Sequence, residues 1–496
     1  MIQHCPVLIV LLPLTAALLC LLFSKFNKNL GSWLVIGSIA GSLACSLQVL
    51  HQTLTSGEAI HYWMGNWEPP LGIEFVIDPL SAVMAVLITF ISLMVAVYSK
   101  PFMRKEDWLH IGGYYTLYGL LTVGLCGMVI TGDMFNLYVY LEVMSLSGYG
   151  LIAMGGKKSM LAAFRYMLIG TIGASLYLIS VAYLYAMTGT LNMADLGERI
   201  MPYLSSPPFA LAVAYLFIGF GIKMALFPLH GWQPDAYNFA HPGSAAFIAG
   251  VMSKVPAYAI IRFFFYIFGV NNPIISTALT VLGILGIGGV LIGSIMALAQ
   301  YDFRRMLAYS SVAQIGYIAI GLAIGNMYGF IGAVLHIINH AFMKSALFLV
   351  IGGIQYRFGE INLYRLGGLN KKMTLSTITV TLAALSMVGI PPTAGFFSKW
   401  YLMLGAYQGG QYFYIVILVI SSLLNAVYFF RILEQMFVQH EASLTEINRH
   451  EGKLGLPPEM AIPILCAGIG ILVLGFYSVD IVDDILKSGL PEVFLR

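Results

Sequence analysis

The sequence predicts an all-α polytopic membrane protein of about fourteen transmembrane helices, with two inverted five-helix repeats that each contain a broken helix. Three observations carry that expectation. Of the 496 residues, 59% are hydrophobic and only 9% are charged, against roughly 25% charged in a soluble domain. Apolar runs of about 20 residues, the length that crosses a bilayer as a helix, recur from end to end. Lys and Arg gather in alternate loops, as a multi-pass chain following the positive-inside rule requires.

The first run, 6–23, has no Lys or Arg before it, so it lacks the basic leader of a cleaved signal peptide and is expected to remain as a span. Runs 33–50 and 79–99 complete an N-terminal group over 1–110. Five runs follow in 111–270, at 112–131, 134–154, 162–187, 207–227 and 243–269. Five more fill 271–437, at 275–299, 306–324, 330–353, an interrupted 373–406, and 411–437. A last run, 459–479, lies in the C-terminal part, 438–496. The longest stretch between runs is 51–78, whose 28 residues fall short of the roughly 50 an independent domain needs. No soluble catalytic domain fits.

The loops set the orientation. One alternating set holds 17 of the basic residues, among them Arg304, Arg305, Arg365, Arg449 and Lys453, and the opposite set holds only Arg199, Lys487 and Arg496. That asymmetry predicts a multi-pass topology with both termini outside. Arg304 and Arg305, after Tyr301 and Asp302, are expected to anchor at the headgroups. The net charge of +3 is too small and dispersed for nucleic-acid binding. Cys5, Cys20, Cys45, Cys126 and Cys466 form no CxxC and no Cys/His cluster, so iron–sulfur, haem and disulfide frameworks have no support. Phosphate-loop and dinucleotide fingerprints are missing as well, and no cofactor is expected.

Lys223, Lys254, Arg262, Lys344 and Lys399 are the basic residues left inside spans, and Glu142 is the acidic one lying deep in a span. A charge at the bilayer centre costs from about 3 kcal/mol on insertion scales to above 10 in simulations, so such residues mark ion paths. Glu142, in GDMFNLYVYLEVMSLSGYG, can hold or release a proton beside a lysine; the plainer alternative is a fixed ion pair between two helices. Lys223 lies among Gly219, Gly221, Pro228 and Pro234, and Lys399 among Gly389, Pro391, Pro392 and Gly395. Each span must therefore lose backbone bonds next to its lysine. Two matched breaks five spans apart suggest an internal repeat of transporter type, inverted because five is odd, although a lysine near a break can also simply cap freed carbonyls. Lys254, followed by Pro256, can give up a proton, whereas Arg262 effectively cannot, which suits it to a structural or electrostatic role.

His336, His340 and Lys344 recur every fourth residue and share one helix face with Asn339. Histidine titrates near neutrality and suits a relay; a structural hydrogen-bonded stripe is the alternative, and no further ligand at useful spacing supports a metal. Asp133 sits at a span edge. His230, Trp232, Asp235, Tyr237 and His241 cluster in and after the seventh span's break, as an accessory proton entry or an interfacial belt.

The stretches TGDMFNLYVYLEVMSLSGYGL, GIKMALFPLHGWQPDAY, SKVPAYAIIRF, YDFRRMLAYSSVAQIGYI, HIINHAFMKSALF and GIPPTAGFFSKW, spread over about 75–437, resemble the antiporter-like subunits shared by complex I, Mrp-type cation/proton antiporters and membrane-bound hydrogenases. GDMFNLYVYLEV is most similar to the D type of Mrp subunit. The resemblance implies two half-channels joined by a row of charges, other membrane subunits as partners, and H+, with Na+ left open, as the moved ion. It assigns Glu142 and Lys223 as a Glu–Lys pair, Lys254 as the bridge, His336 and His340 as the extension, and Lys399 as the terminal lysine. A lysine there argues against the M type of complex I subunit and for the D, N or L types. The L type carries a long lateral helix after the fourteenth span, which does not follow here. NFAHPGSAAF departs from the Ala-Pro linker of relatives at His241. Two rivals rank lower: a free-standing solute transporter would gather its ligands at one midplane spot, and a quinone-binding redox subunit would need an electron donor alongside.

Overall fold

The computed structural model describes residues 2–359, 362–363, 366–438 and 455–494. Arg365, Arg449, Lys453 and Arg496, counted above among the loop cations, lie outside the described residues. Helices α1 (Cys5–Phe26) and α2 (Lys28–Ser56) are followed by strands β1 (Ile60–Trp63) and β2 (Glu74–Ile77), then α3 (Pro79–Met103), α4 (Trp108–Ile130), α5 (Met134–Ala153), α6 (Lys157–Thr188) and the short α7 (Met193–Arg199). Helices α8 (Pro207–Met224), α9 (Gln233–Phe239), α10 (Pro242–Phe247) and α11 (Lys254–Ile261) bring the chain to its middle. Helices α12 (Pro273–Leu298), α13 (Phe303–Ala323), α14 (Met327–Phe358), α15 (Leu369–Lys372), α16 (Thr374–Val388), α17 (Ala394–Gln408), α18 (Tyr412–Phe437) and α19 (Pro458–Phe476) complete the fold.

Among the described residues, twelve helical segments are long and apolar enough to cross a membrane, counting Pro242–Ile267 as one. The other two expected spans are also helical. Helix α5 has 20 residues, about 30 Å, and its Asn136, Glu142, Ser145 and Ser147 dilute its apolar character. The interrupted twelfth span is the pair α16 and α17, 15 residues each.

Start signals are strong. Asp78, Asp107, Asp133, Ser206, Asn272, Asp302 and Asn326 each accept a backbone N–H of the helix they begin, the service expected of Asp, Asn and Ser at an N-cap. The stretch 51–78 differs from the loop expected there: β1 and β2 pair antiparallel, Ile60 opposite Ile77 and Trp63 opposite Glu74. Four-residue strands are too short for alternation to register in the sequence.

Packing order repeats along the chain. Helix α4 packs on α5, α5 on α6 and α6 on α8; in the same sequence α12 packs on α13, α13 on α14 and α14 on α17. Pro242–Ile267 and Met327–Phe358 are buried along most of their length, whereas Lys28–Ser56 and Tyr412–Phe437 are mostly exposed or half-buried. The two central spans thus carry Lys254, His336, His340 and Lys344 into the interior.

Candidate functional site

Helix α8 ends one residue after Lys223, at Met224; Ala225 turns into the left-handed region (φ 61°, ψ 44°), and the chain stays irregular until α9. The carbonyl of Ile222, which loses its ordinary helical partner at the break and accepts Ala225 N–H at 3.1 Å, also accepts the indole N–H of Trp232 at 2.9 Å. Trp232 itself stacks on Tyr166, ring centroids 3.6 Å apart. With that carbonyl satisfied, the Lys223 ammonium crosses to α5, donating to Ser145 Oγ at 2.6 Å and Tyr149 OH at 3.3 Å. Lys223 is buried, and Glu142, one turn before Ser145, is half-buried. Their charges influence each other, but no ion pair joins them: Ser145 and Tyr149 hold the ammonium instead.

Lys254 is fully buried and lies between two π-helical turns, Ile248–Met252 and Arg262–Ile267. Pro256 lacks the N–H that Met252 O would accept, and the widened turn leaves Ala249 O to the Lys254 ammonium. From the first break, Gln233 Nε2 donates to Tyr237 OH (3.0 Å), and Tyr237 OH to Ser253 Oγ (3.4 Å), the residue before Lys254.

On α14, His340 has both ring nitrogens buried without a hydrogen-bond partner, within electrostatic reach of Lys254, Lys344 and His336. His336 bonds Ser398 Oγ through Nδ1 and Gln314 Oε1 through Nε2, both at 3.0 Å, and its ring lies 6.0 Å from that of His340. Lys344 donates to Leu307 O and Ser310 Oγ of α13. At the second break Lys399 donates to Met387 O (2.9 Å), Val388 O (3.0 Å) and Ser422 Oγ (3.1 Å), and its ammonium sits 4.8 Å from the Tyr317 ring centroid. Here the lysine caps its own broken span. Gly395 lets the two half-helices meet, since a Cβ there would fall 1.8 Å from Ser386 O.

The accessory candidates separate from this row. Asp133 is the N-cap of α5, 2.7 Å from Asn136 N. Asp235 forms an ion pair with Arg165 at 3.0 Å. His230 rests against Phe227, ring centroids 5.5 Å apart. Burial, with Arg304 adding to it, pushes His241 down to about 4, and its neutral Nδ1 accepts Gly243 N–H as a helix cap. Arg262 binds Asp78 through both terminal nitrogens and lies over Tyr266. Burial pushes the Asp78 carboxyl up, yet Arg262 and Ser81 together hold it below its ordinary range. The pair therefore stays charged and ties α3 to the eighth span.

Arg304 corrects an expectation: it is buried, not at the headgroups, and donates to Ala240 O (2.7 Å), Tyr237 O (3.2 Å) and Gln355 Oε1 (3.1 Å). It closes the C-terminal end of α9, whose last carbonyls have no helical partner. Sequence reasoning also missed Ser145, Tyr149, Gln314, Ser398 and Tyr317. Ser145 and Tyr149 did carry a signal, three and seven residues after Glu142 on one helix face. Among the described residues, no three of His, Cys, Asp and Glu come together as a metal site.

Residues 131–425 match the family described as NADH:quinone oxidoreductase/Mrp antiporter, transmembrane, and 63–110 match the N-terminus of complex I chain 5. The chain is 45% identical to the N-type subunit of the NADH-quinone oxidoreductase of Desulforudis audaxviator over 99% of both proteins. It is 31% identical to the D-type subunit of the Na(+)/H(+) antiporter of Alkalihalophilus pseudofirmus over 99% of this chain and 98% of that one. In structure it is similar to a chain of a membrane-bound sulfane sulfur reductase, an archaeal respiratory membrane complex, with TM-score 0.90 and 28% identity over 99% of this chain and 98% of that one. The chain thus matches both an N-type and a D-type relative, with more identity to the N-type relative than to the D-type relative.

Proposed function

The chain belongs to the NADH:quinone oxidoreductase/Mrp antiporter family of antiporter-like membrane subunits, and from that premise we propose that it moves protons across a prokaryotic cytoplasmic membrane as one subunit of a multisubunit complex. One observation carries the reading: Lys223, Lys254, Lys344 and Lys399 are buried, and each donates only to carbonyls and hydroxyls, with no carboxylate within ion-pair distance among the described residues. A buried ammonium without a counter-ion is costly unless it can lose its proton. Four of them, bridged by His336 and His340, make a row over which protons can be exchanged.

In this reading Glu142 and Lys223 act as the switch of the first repeat, 111–270, and Lys399 exchanges protons at the far end of the second, 271–437. Lys254, Lys344 and the two histidines connect them. Both termini lie outside, and neighbouring membrane subunits flank the chain. Two drivers are open to such a protein: exchange against Na+, as in the D type, or coupling to a redox partner, as in the N type. The 45% identity to an N-type relative favours the redox-driven form.

The test is to purify the complex from native membranes, identify its chains, and reconstitute it in vesicles. Proton movement driven by the partner reaction or by a Na+ gradient is expected, and Glu142→Ala is expected to abolish it while the complex still assembles. Full transport by Glu142→Ala would remove the Glu–Lys switch.

A further inference from the structure

We propose that a crevice formed by the start of α2, the end of α3 and the start of α19, remote from the charge row, binds the phosphate headgroup of an anionic phospholipid. The crevice encloses about 350 Å³ and draws Lys28, Lys100 and Arg104 together with a single acid, Glu459. Glu459 is already engaged by Arg104. Lys28 donates to Arg104 O at 3.3 Å, and the Lys100 ammonium sits 3.3 Å from the Trp33 ring centroid. Neither lysine has a carboxylate within ion-pair distance among the described residues; Glu459 is near enough to act on Lys100 but is bound to Arg104, so the crevice sets three cations against one acid.

A second, independent feature points the same way. Helix α2 is 29 residues long and has no acidic residue in its first turn, and its N-terminal end opens on the crevice through Lys28, Asn29 and Ser32. Asn27 already takes the Asn29 and Leu30 N–H groups, and the aligned peptide dipoles still make this end favourable to an anion. The rim then decides between a lipid and a free anion. Trp33, which lines the crevice, is 54% exposed on a helix long and apolar enough to cross a bilayer, so an acyl chain can run down from the same site. All three cations belong to the loop set expected on the cytoplasmic side, where anionic lipids attract basic residues.

The experiment titrates the delipidated, purified complex with phosphatidylglycerol and, separately, phosphatidylcholine, read by native mass spectrometry. Phosphatidylglycerol is expected to be retained in preference. At about a five-fold contribution per cation, Lys28→Gln combined with Lys100→Gln should weaken its binding about twenty-five-fold. Glu459→Gln should strengthen it several-fold, a gain that misfolding cannot produce. Equal retention of both lipids, or unchanged binding by the double variant, would overturn the proposal. Inorganic phosphate bound at the same cations without lipid preference would place a free anion there instead. Lipid binding that appears only after an acidic neighbouring protein is stripped would assign the crevice to that neighbour.

Discussion

At the first helix break, Lys223 reaches across to Ser145 and Tyr149 of α5, while at the second, Lys399 turns back onto Met387 and Val388 of its own span. Both breaks are glycine- and proline-bounded and lysine-bearing, and both expose carbonyls at membrane depth. The difference lies in who satisfies them. Trp232 supplies a neutral N–H to Ile222 O at the first break, and no indole does so at the second among the described residues. An uncharged cap leaves the first ammonium free to engage the helix of Glu142. The second ammonium is divided between structure and whatever exchange it performs.

Lys223→Ala sharpens this contrast most. Its removal breaks no helix cap, so the complex should assemble with normal yield while transport in vesicles falls by about a hundredfold or more, as for a lost proton-transfer group. Transport within a few-fold of wild type would break the contrast from the first side. Lys399→Arg comes next. Arginine can still cap carbonyls but effectively cannot deprotonate, so assembly should hold and transport should fall about tenfold or more. Wild-type rates at matched protein content would reduce Lys399 to a cap.

A smaller effect is expected between the two breaks. Replacing His336 and His340 together with Ala should slow transport several-fold, with Gln at both positions restoring part of it through hydrogen-bonded water. An unchanged rate would return the pair to a structural stripe, although His340, with no hydrogen-bond partner of its own, stabilises little. The smallest effect should come from Trp232→Phe, which keeps an aromatic ring beside Tyr166 but removes the N–H to Ile222 O. A loss of about 1 kcal/mol in stability is expected from one buried hydrogen bond, read as a small fall in melting temperature with transport nearly intact. A large transport defect there would mean that Lys223 had turned back to cap the break, as Lys399 does.

Much of this is legible in the sequence alone. Spans can be read because a bilayer admits only helices of known length and apolar content, and the buried lysines stand out against that background. The breaks are equally plain, since Pro228 and Pro392 cannot continue a helix. The hairpin at 60–77 is not, because its strands are four residues long. Arg304 reads as a headgroup anchor because it stands beside Arg305 in a polar loop, yet packing buries it against α9.

By itself, then, the sequence determined that the chain is a bundle of apolar helices, where those helices break and which charges lie inside them, since hydropathy, helix period and proline geometry act over a few neighbouring residues. Tertiary structure decided which group answers each charge. Ser145 lies 78 residues from Lys223, and Asp78 lies 184 from Arg262. Those partners are set by which helices cross and at what height, so a side chain in low dielectric takes the acceptor that packing offers, a carboxylate for Arg262 and a hydroxyl for Lys223.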